Sequence, residues 1–295
     1  MKERERLLEV VNVKEEKDKN IVALAENEGV ALIAFIAPYV PVRVSPIEEV
    51  RAHIGLPDEF GIEALIEILR EKDIRKAYLL VNSPGGAMAS SYKIAKAIRT
   101  CLDEITTFVP HIAASGGTLL ALTGNQIVMG SMSQLTPLDV QIPYGNTVVS
   151  VTTCFRFLER ASKWFERKRP EEAPYPQRAL ADKLDPLLME EWWGLIDTAI
   201  SYVTEILASA GYDNGTEIAH KLILGFPSHG FVITKDKAEE VGLHIESAES
   251  YRDAWAVMRY WLSRYIFKEE ATHCIRFVLP EFKKKRRSDE KDKSK

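Results

Sequence analysis

The chain has little cysteine, and what it has is not clustered. Cys101, Cys154 and Cys274 are scattered over 295 residues. Their number is odd, and their spacing matches neither a metal site nor a redox motif. Because disulfide frameworks need paired cysteines, we expect three free thiols in a reducing compartment. The histidines and acidic residues show no metal-ligand spacing either, and no glycine loop matches a nucleotide fingerprint. The sequence therefore predicts neither a metal nor a cofactor.

Long hydrophobic runs are also missing. The longest, residues 29–44, is interrupted by Pro38, Pro41 and Arg43, and a membrane-spanning helix needs about twenty apolar residues. Residues 1–20 are charged and lack the apolar core of a signal peptide. We expect no integral membrane segment and a cytoplasmic protein. A net charge of −4 argues against a general nucleic-acid binder, so no nucleic-acid partner is expected.

The most informative stretch is residues 109–122, an apolar run that turns through small residues and continues as a helix-permissive segment. Ser115 lies at the turn and is followed by Gly116 and Gly117. Two glycines permit a sharp backbone corner whose N–H groups are free to face a ligand. Such a corner can present a serine hydroxyl beside an N–H donor. Taken alone, the tripeptide also fits an ordinary tight turn.

A second corner of the same type lies upstream, in residues 77–88. A buried-strand pattern runs into Ser-Pro-Gly-Gly at residues 83–86 and then into a helical pattern. Two strand–glycine–helix corners about thirty residues apart indicate a parallel sheet with two loops on one edge. Residues 106–109 and 126–129 are further strand candidates, and the strand–helix alternation favours an α/β fold of stacked ββα units.

Several motifs in order carry a family resemblance. They are Asn-Ser-Pro-Gly-Gly at 82–86, Ala-Ser-Gly-Gly at 114–117, Gln-Ile-Val-Met-Gly at 126–130, Ser-Gln-Leu-Thr-Pro-Leu-Asp at 133–139 and Pro-Ser-His-Gly-Phe at 227–231. Together they resemble the serine dehydrogenase proteinase family, in the signal peptide peptidase A-like branch of the ClpP/crotonase superfamily. The resemblance covers roughly residues 20 to 250.

The resemblance implies a fold, a reaction and partners. The fold is ClpP/crotonase-like α/β, to which the sequence adds a C-terminal helical region. The reaction is cleavage of a peptide or protein substrate by a serine nucleophile, which is Ser115 here. The oxyanion would be bound by the N–H groups of Gly116 and Gly86. The superfamily also implies a homo-oligomer.

The general base is not fixed by the motifs. The Clp-type branch places a histidine after the nucleophile helix and its following strand, but residues 134–141 contain none. The signal-peptide-peptidase branch uses a lysine, and Lys183, at the start of a long helical pattern, is the best candidate. A solvated lysine paired with Asp182 or Asp185 fits the same position.

Three other residues are candidates for supporting roles. His111 lies four residues before Ser115, although a core or loop-bonding histidine is the simpler interpretation. His229 lies in a family-like turn, where it acts either in catalysis or as a brace. Asp139 follows Thr136, which stands where the family motif has glycine, and we expect Asp139 to brace the loop beside the site.

Two other classes of function stay open. A crotonase-like acyl-thioester enzyme would use the same N–H donors without Ser115, and a catalytically silent peptide-binding or assembly module would need no base.

The domain organisation predicted from the sequence has four parts. These are a charged N-terminal arm (1–20), the peptidase domain (21–250), a helical extension (251–280) and a basic, disordered tail (281–295). Within the domain, residues 21–25 and 30–36 are predicted to form a hairpin, and Ser45 with Pro46 is a helix-start signal.

Overall fold

The computed structural model describes residues 8–39, 42–45, 48–163, 172, 175, 179 and 185–281. The strands of this part are β1 (Val13–Glu15), β2 (Ala31–Ile36), β3 (Val42–Ser45), β4 (Glu48–Val50), β5 (Lys76–Asn82), β6 (Glu104–Val109), β7 (Ile112–Ala113), β8 (Gln126–Met129), β9 (Gln134–Leu135), β10 (Gln141–Tyr144), β11 (Thr147–Ser150), β12 (Ile245–Ser247) and β13 (Cys274–Val278). The helices are α1 (Lys19–Glu28), α2 (Leu56–Glu71), α3 (Met88–Cys101), α4 (Gly116–Ala121), α5 (Val151–Ser162), α6 (Pro186–Ser209), α7 (Gly215–Leu224), α8 (Lys235–Val241) and α9 (Arg252–Tyr265).

A seven-stranded sheet forms the centre of the fold, in the order β1-β13-β2-β5-β6-β8-β12. The five strands from β2 to β12 are parallel, whereas β13 runs antiparallel to β2 and pairs in parallel with β1. Because the parallel strands end at one edge, the loops after β5, β6 and β8 lie side by side there. The expected α/β fold class is confirmed.

Helices cover both faces of this sheet, which explains why its strands are apolar rather than alternating. On one face, Ile33 and Phe35 of β2 belong to a core shared with α2, α3 and α6. On the other face, Leu32 and Ala34 pack with α1 and with Trp261 of α9. The loops that leave the sheet edge therefore start from a rigid, buried support.

The predicted hairpin of residues 21–25 and 30–36 is wrong in its first half. Residues 19–28 form α1, with Asp18 accepting the Asn20 N–H at 3.0 Å and Gly29 ending the helix at φ 65°. The buried side chains Ile21, Leu24 and Ala25 follow helical spacing. This periodicity and the two caps favour a helix, although the β-branched composition of the segment favours a strand.

The helix start predicted at Ser45 and Pro46 is also wrong. β3 and β4 pair antiparallel there, with Val42 opposite Val50, and residues 46 and 47 lie outside the described part. The α conformation is disfavoured before a proline, so Ser45 fits the end of a strand.

The two ends of the described chain meet at one edge of the central sheet. β1, from the predicted N-terminal arm, pairs with β13, from the predicted C-terminal extension. The extension thus contains α9 and also a strand of the main sheet. The four-part division stays a prediction, and residues 282–295 of the tail lie outside the described part. Among the described helices, none is long and apolar enough to cross a membrane.

Candidate active site

Ser115 occupies a strained corner between β7 and α4. Its backbone angles are φ 48° and ψ −121°, a left-handed conformation that is uncommon for a residue with a side chain. Such a conformation costs about 1–3 kcal/mol and persists only where the surroundings impose it. Here the Ser115 N–H donates to Thr136 Oγ1 at 2.9 Å, and the Ser115 carbonyl accepts from the Leu119 N–H at 3.2 Å. The corner presents a partly exposed serine at a helix N-terminus.

The Pro-Gly-Gly loop (residues 83–87) is fixed by Ile54. The Ile54 N–H donates to the Gly85 carbonyl at 2.8 Å, and the Ala87 N–H donates to the Ile54 carbonyl at 2.9 Å. Because these bonds use the groups on either side of Gly86, its own N–H faces away from Ile54. A Cβ on Gly86 would overlap the Ile54 backbone, so only glycine fits.

The Pro-Gly-Gly loop and the Ser115 corner are in direct contact. A Cβ placed on Gly116 would lie 3.3 Å from the Gly86 nitrogen, and one placed on Gly85 would lie 2.9 Å from the Gly116 nitrogen. Within the described part of the chain, neither the Gly86 nor the Gly116 N–H donates a hydrogen bond. Two unpaired backbone donors therefore lie beside Ser115, as an oxyanion hole requires.

Buried threonines fix the Ser115 corner to the segment that follows β9. Thr118 Oγ1 lies 2.8 Å from the Ala113 carbonyl and 2.9 Å from the Thr136 carbonyl. Thr136, which replaces the glycine of the family motif, supplies the hydroxyl that receives the Ser115 N–H. The sequence motif located this segment but gave no sign of that contact.

Asp139 and His229 are 90 residues apart in sequence and are brought together by a bridge between Leu135 and Ile233. His229 Nδ1 lies 2.9 Å from Asp139 Oδ1, and Gln141 Nε2 donates to the other carboxylate oxygen at 2.8 Å. Asp139 is 5% exposed, whereas the His229 side chain is 36% exposed. The imidazole is therefore oriented by a buried carboxylate and remains accessible.

The Asp139 carboxylate is kept ionised by its partners. Burial alone would raise its pKa, but hydrogen bonds from His229 and Ser150 outweigh burial and hold the pKa below the ordinary value. Among the described contacts, His229 Nε2 has no partner, and no hydrogen bond joins it to the Ser115 hydroxyl. Catalytic hydrogen bonds are often long in the absence of substrate and shorten when it binds.

The remaining residues predicted from the sequence are His111 and Lys183. His111 is exposed and lines a cavity of about 500 Å³ with Trp255, Arg259 and Phe267. Lys183 lies outside the described residues. In the part of the chain that the structure describes, no group of three or more histidine, cysteine or acidic side chains could hold a metal ion.

The chain has relatives of unknown activity in Methanocaldococcus jannaschii. One uncharacterised protein is 28% identical over 173 residues, which is 57% of this chain and 53% of the relative. A second is 23% identical over 244 residues, 82% of this chain and 72% of the relative. The matching part of the chain thus spans about half the length of the first relative.

Solved structures to which the chain is similar include two variants of the membrane-bound stomatin-specific protease 1510-N. One is 14% identical, with a TM-score of 0.45 over 68% of this chain and 80% of the other. The second, in complex with a substrate peptide, is 16% identical, with a TM-score of 0.44 over 69% of this chain and 74% of the other. These scores are too low for residue roles to be transferred.

A family model matches residues 57–160 and is described as ClpP-like SDH-type serine proteinase. The match confirms the resemblance expected from the motifs and supports a serine peptidase. Over this stretch, which carries both glycine corners and Ser115, the chain is similar to the ClpP-like SDH-type serine proteinases.

Proposed function

We propose that the protein is a serine peptidase that cleaves peptide bonds through an acyl-enzyme at Ser115. The observation that supports this proposal is the contact between the Ser115 corner and the Pro-Gly-Gly loop, where the Gly86 and Gly116 N–H groups have no hydrogen-bond acceptor among the described residues. The family match over residues 57–160 supports the same reaction.

The proposed reaction has two steps. The Ser115 hydroxyl attacks the scissile carbonyl as a base takes its proton, and the resulting oxyanion accepts hydrogen bonds from Gly86 and Gly116. Collapse of the tetrahedral intermediate releases the amine, which takes the proton, and leaves an ester at Ser115. Water then hydrolyses this ester. In other enzymes one such donor contributes about 2.7–4 kcal/mol to the transition state.

The base has two candidates of different origin. Lys183 is the prediction from the resemblance, and a lysine acts as a base only when its surroundings lower its pKa. His229 is the candidate among the described residues, because the buried Asp139 orients its ring and its Nε2 is free. A base held by a third group is the arrangement of serine–histidine–aspartate enzymes. We favour His229, with Asp139 as its orienting partner, and retain Lys183 as the competing assignment.

The substrate is proposed to be an extended peptide along residues 84–88. The free side of Gly86 would pair with it as an added strand, which supplies main-chain affinity. A homo-oligomer, implied by the superfamily, stays a prediction.

The test is degradation of casein and of a fluorogenic peptide panel by the wild type and by four variants. Ser115→Ala should lower kcat by on the order of a thousandfold or more with the fold intact. His229→Asn should cause a comparable loss if it is the base, and Lys183→Ala should do so if the lysine is. His220→Asn is the matched control, since His220 is an exposed histidine on α7.

The outcomes separate the alternatives. Equal peptide turnover by Ser115→Ala would contradict the serine mechanism. Peptide binding without turnover, by the wild type as well as by every variant, would favour the silent binding module. Loss in Ser115→Ala and Lys183→Ala, with His229→Asn active, would establish the serine–lysine type and contradict our choice of base.

A further inference from the structure

A second serine–histidine–aspartate chain lies buried behind the Pro-Gly-Gly loop. Ser83 Oγ lies 2.9 Å from His273 Nε2, and His273 Nδ1 lies 3.2 Å from Asp58 Oδ2. These three residues are 0%, 0% and 3% exposed. Ser83 directly follows β5, His273 directly precedes β13 and Asp58 lies in the first turn of α2, so no local sequence pattern joins them.

The chain of bonds ends on the Pro-Gly-Gly loop at one side and on the backbone next to Ile54 at the other. At one end, the Gly85 N–H donates to Ser83 Oγ at 3.1 Å. At the other end, Asp58 Oδ2 accepts the Gly55 N–H at 3.0 Å. Gly55 follows Ile54, whose own N–H holds the Gly85 carbonyl at 2.8 Å. The network therefore closes a ring in which both polar groups of the Gly85 backbone are fixed.

Ser83 is not placed to be a second nucleophile. It is fully buried, and its backbone is already paired with β7: the Ser83 N–H donates to the Ile112 carbonyl at 3.0 Å, and the Ala114 N–H donates to the Ser83 carbonyl at 2.9 Å. Behind it, the His273 ring stacks on Phe35 with centroids 4.2 Å apart. No substrate carbonyl reaches this serine, so its hydroxyl acts on the neighbouring backbone.

One direction of the hydrogen bonds satisfies every group in the ring. Ser83 Oγ accepts from Gly85 and donates to His273 Nε2, while His273 Nδ1–H donates to Asp58. Asp58 also accepts from Gly55. A buried polar network of this kind is rigid when every member is paired, and the loss of one member leaves the others unsatisfied.

We propose that Ser83, His273 and Asp58 are positioning residues that hold the Gly86 N–H in the direction of the oxyanion. This inference rests on the proposed peptidase function of Ser115. The Gly85 peptide is fixed on one side by Ser83 and on the other by Ile54, and the next N–H in the chain is the Gly86 donor. An oxyanion donor must lie about 2.7–3.1 Å from the oxyanion. Rotation of the Gly85 peptide would lengthen this hydrogen bond, and it would therefore destabilise the transition state more than the bound substrate.

The first test measures the loop itself and does not depend on activity. In full-length protein, Ser83→Ala and His273→Gln should increase hydrogen–deuterium exchange at residues 85–87 at least tenfold. Ile98→Val, a buried change in α3 away from the loop, is the matched control and should leave this exchange unchanged. Unchanged exchange in both network variants would overturn the proposal whatever their activity.

The second test measures the consequence for catalysis. Rates with a peptide p-nitrophenyl ester are divided by the nitrophenol burst, so that only active molecules are counted. Ser83→Ala should lower kcat per active site about ten- to a hundredfold with KM within twofold, and the double variant with His273→Gln should be no slower than the slower single variant. A KM effect, or independent additive losses, would contradict a positioning role.

The two claims fail differently. If Ser115→Ala abolishes turnover while kcat per site in Ser83→Ala and Asp58→Asn equals that of the wild type, the positioning claim fails and the peptidase stands. If Ser115→Ala is as active as the wild type, the peptidase assignment fails, and the exchange data alone decide whether the network holds the loop.

Discussion

At the scale of single residues, the candidate site depends on two glycines that are required for different reasons. Gly86 has φ +158°, and a Cβ there would overlap the backbone of Ile54. Gly116 has an ordinary helical position, and a Cβ there would overlap the side-chain oxygen of Ser91. A backbone obstacle cannot be removed by mutation, whereas a side-chain obstacle can.

This difference gives a prediction for Gly116. Gly116→Ala should lower kcat strongly, because the new methyl group displaces the corner from Ser91. The double variant Gly116→Ala/Ser91→Ala should have a kcat at least tenfold higher than Gly116→Ala alone. Without the Ser91 hydroxyl, the nearest atom to the new methyl group is the Cβ of residue 91, at 3.1 Å. Steady-state kinetics with the same peptide ester measure both.

Gly86→Ala is the comparison variant. Truncation of a nearby side chain should not restore the kcat of Gly86→Ala, because the obstacle to the new methyl group is the backbone of Ile54. Its kcat should fall by on the order of a hundred- to a thousandfold, as expected for loss of one oxyanion donor. Recovery of Gly86→Ala by a side-chain truncation, or failure of Ser91→Ala to restore Gly116→Ala, would contradict this account of the corner.

At the scale of elements, Glu16 joins the segment between β1 and α1 to helix α9. Its buried carboxylate accepts from Tyr265 Oη at 2.7 Å and from Trp261 Nε1 at 3.2 Å. It also accepts the Lys17 N–H at 2.9 Å. Burial alone would raise the pKa of Glu16, but the hydrogen bonds, led by that of Tyr265, outweigh burial and lower it.

The direction of this shift sets a pH dependence. Because the unfolded chain binds the Glu16 proton at higher pH than the folded chain, the carboxylate stabilises the fold fully above the unfolded pKa of about 4.5. That contribution is lost as pH falls through the lower folded pKa. Glu16→Gln should therefore reduce the free energy of unfolding by about 1–3 kcal/mol near neutral pH. The difference from the wild type should shrink below about pH 4.5.

Urea unfolding of both proteins from pH 7 to pH 3 checks this prediction. Glu15→Gln is the matched control, because Glu15 is the exposed neighbour on β1. A Glu16→Gln difference that stays constant over this range, or one equal to that of Glu15→Gln, would be inconsistent with a stabilising buried carboxylate.

At the scale of the whole molecule, the sequence predicts what is local and misses what the fold assembles. Strands β5, β6 and β8 and the two glycine corners are encoded by short patterns, and the edge that they share follows from parallel pairing. Three contacts join segments that are up to 190 residues apart in sequence: Thr136 with Ser115, Asp139 with His229, and His273 with Ser83. The hydrophobic periodicity of the sequence does not predict such long-range pairs.

The same limit explains the errors at element level. The β-branched residues among positions 21–25 suggest a strand, but the caps at Asp18 and Gly29 and the helical burial pattern favour α1. β13 is a short apolar run near the end of the described chain, and only its place between β1 and β2 makes it part of the main sheet.

The central claim is the covalent intermediate at Ser115, and the most direct measurement is its mass. The protein is mixed with excess peptide p-nitrophenyl ester, quenched in acid within the burst, and analysed intact and after digestion. We expect one acyl group on Ser115, decaying as the ester hydrolyses and missing from Ser115→Ala. An adduct on another residue, or an equal adduct in Ser115→Ala, would contradict the assignment.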